Sequence, residues 1–222
     1  FPYTTLFRSL QTNVLSVRRS AKGELKEILP KGTQGKDVSQ ESLMYLEIDR
    51  CAHAGELRAL EKALLEVLGE VRVTVADFEP MKAKALELLA WLGKAKLKVP
   101  AEELKEVRSY LEWLLDNHFT FLGYEEFSVA DEADGGRMVY DEKSFLGLTR
   151  LLRAGLSKDD LHIEDYAVAY LREPVLLSFA KAAHPSRVHR PAYPDYVSIR
   201  ELDGKGRVIR ECRFMGLFTS SV

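Results

Sequence analysis

Cysteine is scarce in this sequence. Its 222 residues contain two, Cys51 and Cys212, which lie far apart and form no CxxC motif. A disulfide framework and a cysteine-rich zinc site are both excluded, because each needs several cysteines at characteristic spacings. We therefore expect a reducing, cytoplasmic location and two thiols that are buried or inert.

Long apolar runs and an excess of one charge are also missing. No stretch of the sequence is apolar over the ~20 residues that a helix needs to cross a bilayer, so no membrane partner is expected. The 32 basic residues are balanced by 34 acidic ones, for a net charge of −2. Because nucleic-acid binding needs a basic surface, no nucleic-acid partner is expected either. The content of 46% hydrophobic and 30% charged residues is typical of a folded globular protein.

The common motifs of catalysis and cofactor binding are absent as well. The sequence has no GxGxxG after a strand, no P-loop, no HExxH and no GxSxG. Its five histidines include no pair at a spacing of three or four residues, which leaves a metal site without support. We therefore predict no catalytic residue, no cofactor-binding residue, no metal ligand and no cofactor for this stretch.

Residues 1–9, FPYTTLFRS, resemble the translation of a common sequencing-adapter oligonucleotide. A segment of technical origin is excluded from reasoning about the fold. We therefore expect residues 1–9 to be an artefact, the natural sequence to start near Leu10, and the chain to be a fragment.

The sequence pattern of residues 10–80 predicts a folded module that precedes the rest of the chain. Apolar residues flank a turn at Gly23 over residues 13–28, and they alternate over residues 42–50, which favours strands. Apolar spacing of three and four predicts a helix over residues 55–68, with Gly69 as its cap. Residues 71–78 fit a strand and a helix equally. Three strands and a helix are most of a ferredoxin-like unit without its first strand and helix, so we expect a truncated ACT-like module.

Residues 81–117 predict a helical spacer. Pro80 suits the first turn of one helix. The acidic residues that follow Pro100 suit the start of another, because they face the positive end of the helix dipole. Both segments carry apolar residues at helical spacing.

Residues 118–222 predict an α+β domain with one antiparallel sheet. Strands are expected over residues 119–129, with a bend or bulge at Gly123, and over residues 138–140 and 175–182. Short helices and loops are expected around residues 145–152 and 161–171. An apolar hairpin with a turn at residues 203–206 closes the chain, and we expect a cut at this C-terminus. The pattern resembles a PAS-like sensor domain; a second ACT-like module is the alternative.

The loop at residues 181–190 carries the candidate binding residues. Lys181, Arg187, His189 and Arg190 lie between two predicted strands. The functional interpretation is a pocket for an anion or a carboxylate ligand, to which Arg190 could bind in bidentate fashion. The alternative is a solvated or interface loop that gathers charge for solubility.

Three long segments resemble one enzyme family. They are LLDNHFTFLGY at residues 114–124, SRVHRPAYPDY at 186–196 and GRVIRECRFMGLFTS at 206–220. In this order they are similar to segments of the large bacterial NAD-specific glutamate dehydrogenases. The shorter matches at residues 17–19, 41–44 and 47–50 extend the resemblance over most of the chain. Residues 181–185 depart from the family, which usually has an asparagine there.

The resemblance implies a parent enzyme that oxidises L-glutamate to 2-oxoglutarate and ammonia and reduces NAD. It implies a very long, homo-oligomeric chain with ACT-type and PAS-type regulatory modules at its N-terminus. NAD and the catalytic residues would belong to another part of that chain, so this stretch alone would be inert. The implied partners are the rest of the parent chain, further copies of it and an amino-acid effector. The alternative function is a stand-alone small-molecule sensor or protein-interaction module.

Overall fold

Three antiparallel strands begin the part of the chain that the structure describes. The computed structural model describes residues 7–51, 53–95, 97–130, 137–154 and 175–219. The strands are β1 (Phe7–Arg19), β2 (Leu25–Leu29) and β3 (Ser39–Ile48), in the order β2-β1-β3. A turn with Gly23 at a φ of 82° joins β1 to β2, a conformation that glycine adopts without a Cβ clash. The strands predicted over residues 13–28 and 42–50 are confirmed.

This sheet leaves much of its apolar surface in contact with solvent. β1 lies in the middle, so β2 and β3 are the edge strands. Val17 of β1 is buried. Large apolar side chains on all three strands are nevertheless exposed: Val14, Leu25, Ile28, Leu43, Met44 and Tyr45. Three strands bury little surface by themselves, which is the physical reason for this exposure.

Helix α1 (Ala54–Ala76) follows the sheet. The chain divides into two compact units between Glu61 and Lys62, inside this helix. Residues 71–76 are helical, which decides between the two predictions for this segment. Gly69 lies in the helix interior, so its prediction as a cap was wrong: apolar spacing continued past the glycine, and one glycine costs a helix only about 1 kcal/mol.

Two further helices occupy the segment predicted as a spacer. They are α2 (Phe78–Leu92) and α3 (Ala101–Trp113), and a π-helical turn (Leu114–His118) ends α3. Within the turn, Asn117 has a φ of 61°, a left-handed conformation that asparagine adopts more readily than most residues. None of the helices in the described residues is long and apolar enough to cross a membrane.

Among the described residues, the second unit is built on a six-stranded antiparallel sheet. Its elements are β4 (Phe119–Ala130), β5 (Arg137–Tyr140), β6 (Leu146–Gly147), α4 (Leu148–Leu152), β7 (Leu177–Lys181), β8 (Asp195–Leu202) and β9 (Val208–Phe218). The main path of the sheet runs β5-β4-β9-β8-β7, and β6 pairs with β4. The short helix α4 and a 3₁₀ turn (Glu142–Ser144) lie between β5 and β7 in the sequence.

Local turn chemistry agrees with the predictions for this sheet. The closing hairpin is β8 and β9, and its turn places Gly206 at a φ of 81°. The pairing of β4 with β9 shifts its register between Phe121 and Gly123, so the predicted bulge at Gly123 is confirmed. The short helices predicted around residues 161–171 lie outside the described residues.

Helices α2 and α3 cover one face of this sheet. Their buried residues and those of the strands form one core, so the helices predicted as a spacer pack directly on the sheet. Burying one leucine or phenylalanine side chain contributes about 1.5–3 kcal/mol, which makes this core the main source of stability in the unit. It comprises Met81, Ala85, Leu88, Leu92, Val107, Leu111, Leu114, Phe119, Phe121, Tyr124, Leu176, Val197, Ile199, Cys212 and Phe214.

A smaller apolar cluster lies on other residues of the same sheet. Val71 and Val73, from the C-terminal half of α1, pack against it. Strand residues one position apart point to opposite faces, and residues 214 and 215 accordingly belong to different clusters. The buried members of the smaller cluster are Leu122, Leu148, Val188, Met215 and Leu217.

Candidate functional site

A line of alternating charges crosses the central strands of the second sheet. Strand register places Glu125 of β4 opposite Arg213 of β9, and Arg200 of β8 opposite Glu211 of β9. Residues 211 and 213 point to the same face of β9, because side chains alternate along a strand. Together with Arg153, which follows α4, these residues form what we call the buried ion cluster.

The contacts in the buried ion cluster run from Arg200 to Arg153. Arg200 Nε donates to Glu211 Oε2 at 2.9 Å, and Arg213 Nη2 donates to Glu211 Oε1 at 2.8 Å. Arg213 Nη1 also reaches Glu125 Oε1 at 3.4 Å. Arg153 donates two hydrogen bonds to Glu125, from Nε to Oε2 at 2.9 Å and from Nη2 to Oε1 at 3.1 Å. Each carboxylate therefore lies between two guanidinium groups.

Aromatic rings line the buried ion cluster. The guanidinium carbon of Arg213 lies 4.8 Å from the ring centroid of Phe127 and 5.6 Å from that of Tyr196. Arg153 lies 5.0 Å from the ring centroid of Tyr140. Burial raises the pKa of both tyrosines, and the neighbouring Glu125 carboxylate raises it further. Both phenols are therefore neutral at physiological pH.

The buried ion cluster is suited to holding strands together and not to proton transfer. Burial lowers the pKa of Arg213, but Glu211 and Glu125 outweigh that effect and raise it overall, so the guanidinium stays charged. Breaking one buried pair leaves an uncompensated charge, at a cost of about 3–5 kcal/mol. Among the described residues, no group of three or more histidine, cysteine or acidic side chains is placed to hold a metal ion.

Sequence reasoning missed the buried ion cluster, although a signal was present. Glu125, Arg200, Glu211 and Arg213 each interrupt an apolar strand pattern. Charged residues are almost never fully buried unless they are paired, so charges inside three apolar strands indicate partners on neighbouring strands. The register that pairs them was not readable from the sequence.

A second polar group lies around Glu126. The Tyr124 hydroxyl donates to Glu126 Oε1 at 2.7 Å, Arg210 donates to its Oε2, and Lys84 Nζ lies 3.5 Å from Oε1. Burial raises the pKa of the Glu126 carboxyl, but the hydrogen bonds from Arg210 and Tyr124 outweigh it, and the pKa lies below its usual value. Burial raises the pKa of the nearby Cys212 thiol to about 11.

The four predicted binding residues lie exposed on the loop between β7 and β8 or at its start. Lys181 Nζ donates to Asp195 Oδ1 at 2.6 Å. Arg187 forms an ion pair with Glu70 of α1 and lies 3.5 Å from Glu66.

The other two predicted residues, His189 and Arg190, lie at the end of the 181–190 loop. Arg190 Nη2 donates to the Phe218 carbonyl oxygen at 2.8 Å. His189 has a φ of 70°, a left-handed conformation. The three cations thus contact different elements, and a role for this loop in ligand binding stays a prediction.

Comparison with known proteins gives consistent matches. Residues 6–64 match the family described as "Glutamate dehydrogenase, ACT1 domain". The chain is 98% identical over 214 residues to the NAD-specific glutamate dehydrogenase of Pseudomonas aeruginosa (strain PAO1), covering 96% of this chain and 13% of that protein.

Two more distant proteins of the same name also match. Identity is 39% over 219 residues to the NAD-specific glutamate dehydrogenase of Halomonas elongata and 31% over 216 residues to that of Mycobacterium tuberculosis (strain H37Rv). Each alignment covers 96% of this chain, and 13% and 12% of the respective relative. The chain therefore spans roughly an eighth of the length of the curated relatives it matches.

Proposed function

Because this chain belongs to the family of NAD-specific glutamate dehydrogenases, we propose that it is the N-terminal regulatory and oligomerisation region of such an enzyme. The observation that carries the proposal is the ACT1 match over residues 6–64, together with an alignment of 98% identity over 214 residues. The complete enzyme would be a cytoplasmic homo-oligomer. It would convert L-glutamate, NAD and water into 2-oxoglutarate, ammonia and NADH.

In this proposal the chain supplies no catalytic residue, and NAD binds elsewhere in the enzyme. Residues 10–80 are an ACT-like module. Residues 118–222 are a PAS-like domain, which their antiparallel sheet with helices packed on one face supports; a second ACT-like module is the alternative. Its buried charges are already neutralised by one another, so they serve the fold and not the reaction.

The effector in this proposal is an amino acid whose carboxylate binds the loop at residues 181–190. Lys181, Arg187, His189 and Arg190 are its candidate contacts. Arg190 is the best placed, because its side chain is exposed and donates to the neutral Phe218 carbonyl oxygen. A carboxylate would form a stronger, charge-assisted bond with it. The ligand would shift the enzyme towards the arrangement that binds it better.

The test is an effector titration of the full-length enzyme. Glutamate oxidation is followed by NADH absorbance while candidate amino acids are added. We expect Arg190→Ala to shift the half-maximal effector concentration by roughly tenfold, the value of one lost charged hydrogen bond, with little change in turnover without effector.

The matched control for that titration is Lys105→Ala, which removes an exposed cation from α3. It should leave the titration unchanged. An identical titration for Arg190→Ala and the unmodified enzyme would contradict the role of the loop. An enzyme that responds to no amino acid would contradict the regulatory proposal as a whole.

A further inference from the structure

Aromatic rings continue from the core of the second unit to its surface. The indole of Trp113, at the end of α3, stacks on His118 with 4.7 Å between ring centroids and an interplanar angle of 21°. It also lies 5.9 Å from Phe218 and 5.7 Å from Tyr110. Tyr110 in turn meets Phe179 of β7 edge to face at 5.4 Å. We call these five residues the aromatic patch.

Two rings of the aromatic patch are exposed to solvent. Trp113 is 40% exposed and Phe179 is 53% exposed. A polar rim adjoins it, because Asp195 forms an ion pair with Lys181. Burial raises the pKa of Tyr110, and the Asp195 carboxylate raises it further. Apolar patches with a polar rim mark interaction surfaces, and tryptophan and tyrosine are enriched among the residues that dominate binding energy.

The aromatic patch is held in place by its own backbone. His118 Nδ1 lies 3.1 Å from the Trp113 carbonyl oxygen. Thr219 ties β9 to the π-helical turn: its N–H donates to the His118 carbonyl oxygen at 3.0 Å, and its hydroxyl donates to that of Asn117 at 2.8 Å. A surface on such fixed elements is formed before a partner arrives, which lowers the entropic cost of binding.

We propose that the aromatic patch is the docking surface for another segment of the same polypeptide in the complete enzyme. The alignment covers 13% of the 98% identical relative, so most of that polypeptide lies outside it. Thr219 is hydrogen-bonded to the π-helical turn beside the patch. A tethered segment acts at millimolar effective concentration. Its matching surface carries aliphatic or aromatic side chains against Trp113 and Phe179. This inference rests on the proposed function, because it takes the rest of the enzyme as the partner.

Hydroxyl-radical footprinting of the unmodified full-length enzyme tests the docking. Side-chain oxidation rates are normalised to those of the same residues in the unfolded protein. Two residues calibrate the scale: Phe121 is 2% exposed and Leu86, on the surface of α2, is 55% exposed. We expect Trp113 and Phe179 to be oxidised at rates close to that of Phe121 and at least roughly fivefold below that of Leu86, because docking excludes water from both rings.

Two results would overturn the docking proposal. Oxidation of Trp113 and Phe179 at the relative rate of Leu86 would show that no segment covers the patch in the complete enzyme. Protection that disappears when the oligomer is diluted to monomers would assign the surface to a second copy. Both results are independent of the effector titration, because footprinting uses the unmodified enzyme without effector.

Discussion

Arg200 and Glu211 form a salt bridge in which both side chains have 0% of their surface exposed, with 2.9 Å between Nε and Oε2. They are cross-strand partners of β8 and β9. Taking two charges out of water is costly, and the pair repays this only while both partners are present. The closing hairpin is therefore expected to lose stability when either Arg200 or Glu211 loses its charge.

Glu211→Gln is expected to lower the free energy of unfolding by about 3–5 kcal/mol, because it removes the buried carboxylate that lies between the guanidinium groups of Arg200 and Arg213. Urea unfolding followed by circular dichroism measures the change. The control is Glu201→Gln on the same hairpin, whose carboxylate lies 3.9 Å from Arg210 at the surface. It should cost less than about 1 kcal/mol. Equal costs for the two variants would contradict the importance of the buried pair.

Glu126 should make the second unit sensitive to acid. Its pKa is lowered in the folded protein, so below about pH 4.5, the ordinary value, the unfolded chain takes up a proton that the folded chain does not. The free energy of unfolding then falls as the pH falls through this window. In Glu126→Gln this dependence is expected to be weaker, as measured by urea unfolding from pH 6 down to pH 3.

The control for the acid series is Glu87→Gln, which removes an exposed partner of the same Lys84. Its pH dependence should follow that of the unmodified chain. A Glu126→Gln curve with the full slope of the unmodified chain would show that other carboxyl groups carry the acid sensitivity.

The two cysteines should react with alkylating reagents at different rates. Cys212 is buried, and its pKa of about 11 leaves about one thiol in a thousand ionised at pH 8. Cys51 is only half-buried. Mass spectrometry after iodoacetamide treatment should show Cys51 modified roughly tenfold faster or more. In the unfolded protein the two rates should converge, and equal rates in the folded protein would contradict the burial of Cys212.

Gly147 and Gly69 form a pair of opposite tests. Gly147 has a φ of 60°, and a Cβ atom on it would lie 2.3 Å from the Leu122 carbonyl oxygen. Gly147→Ala should therefore lower the free energy of unfolding by at least about 1–3 kcal/mol. Gly69 lies inside α1 with open space around it, so Gly69→Ala should raise that free energy by up to about 1 kcal/mol. Thermal unfolding measures both, and a Gly147→Ala variant as stable as the unmodified chain would contradict the predicted strain.

Patterns that depend on neighbours in the chain could be predicted from the sequence alone. Alternating apolar residues predicted β3, because side chains alternate along a strand. A high content of aromatic and other apolar residues predicted β4 and the closing hairpin. Glycine in the turn at residues 203–206 predicted the hairpin connection, because glycine tolerates positive φ. Three ordered motifs predicted the family of glutamate dehydrogenases, and the comparisons confirm it.

Relationships between residues distant in the chain were decided by the tertiary structure. Residues 71–76 suited a strand and a helix, and they are helical, with Val71 and Val73 packed against the second sheet. The helices predicted as a spacer cover that sheet. The cations at Lys181, Arg187 and Arg190 were visible in the sequence, but their partners come from three separate elements. The charges of β4, β8 and β9 were visible as well. Only strand register, which is set by long-range hydrogen bonds and not by local propensity, brought Glu125 to Arg213 and Arg200 to Glu211.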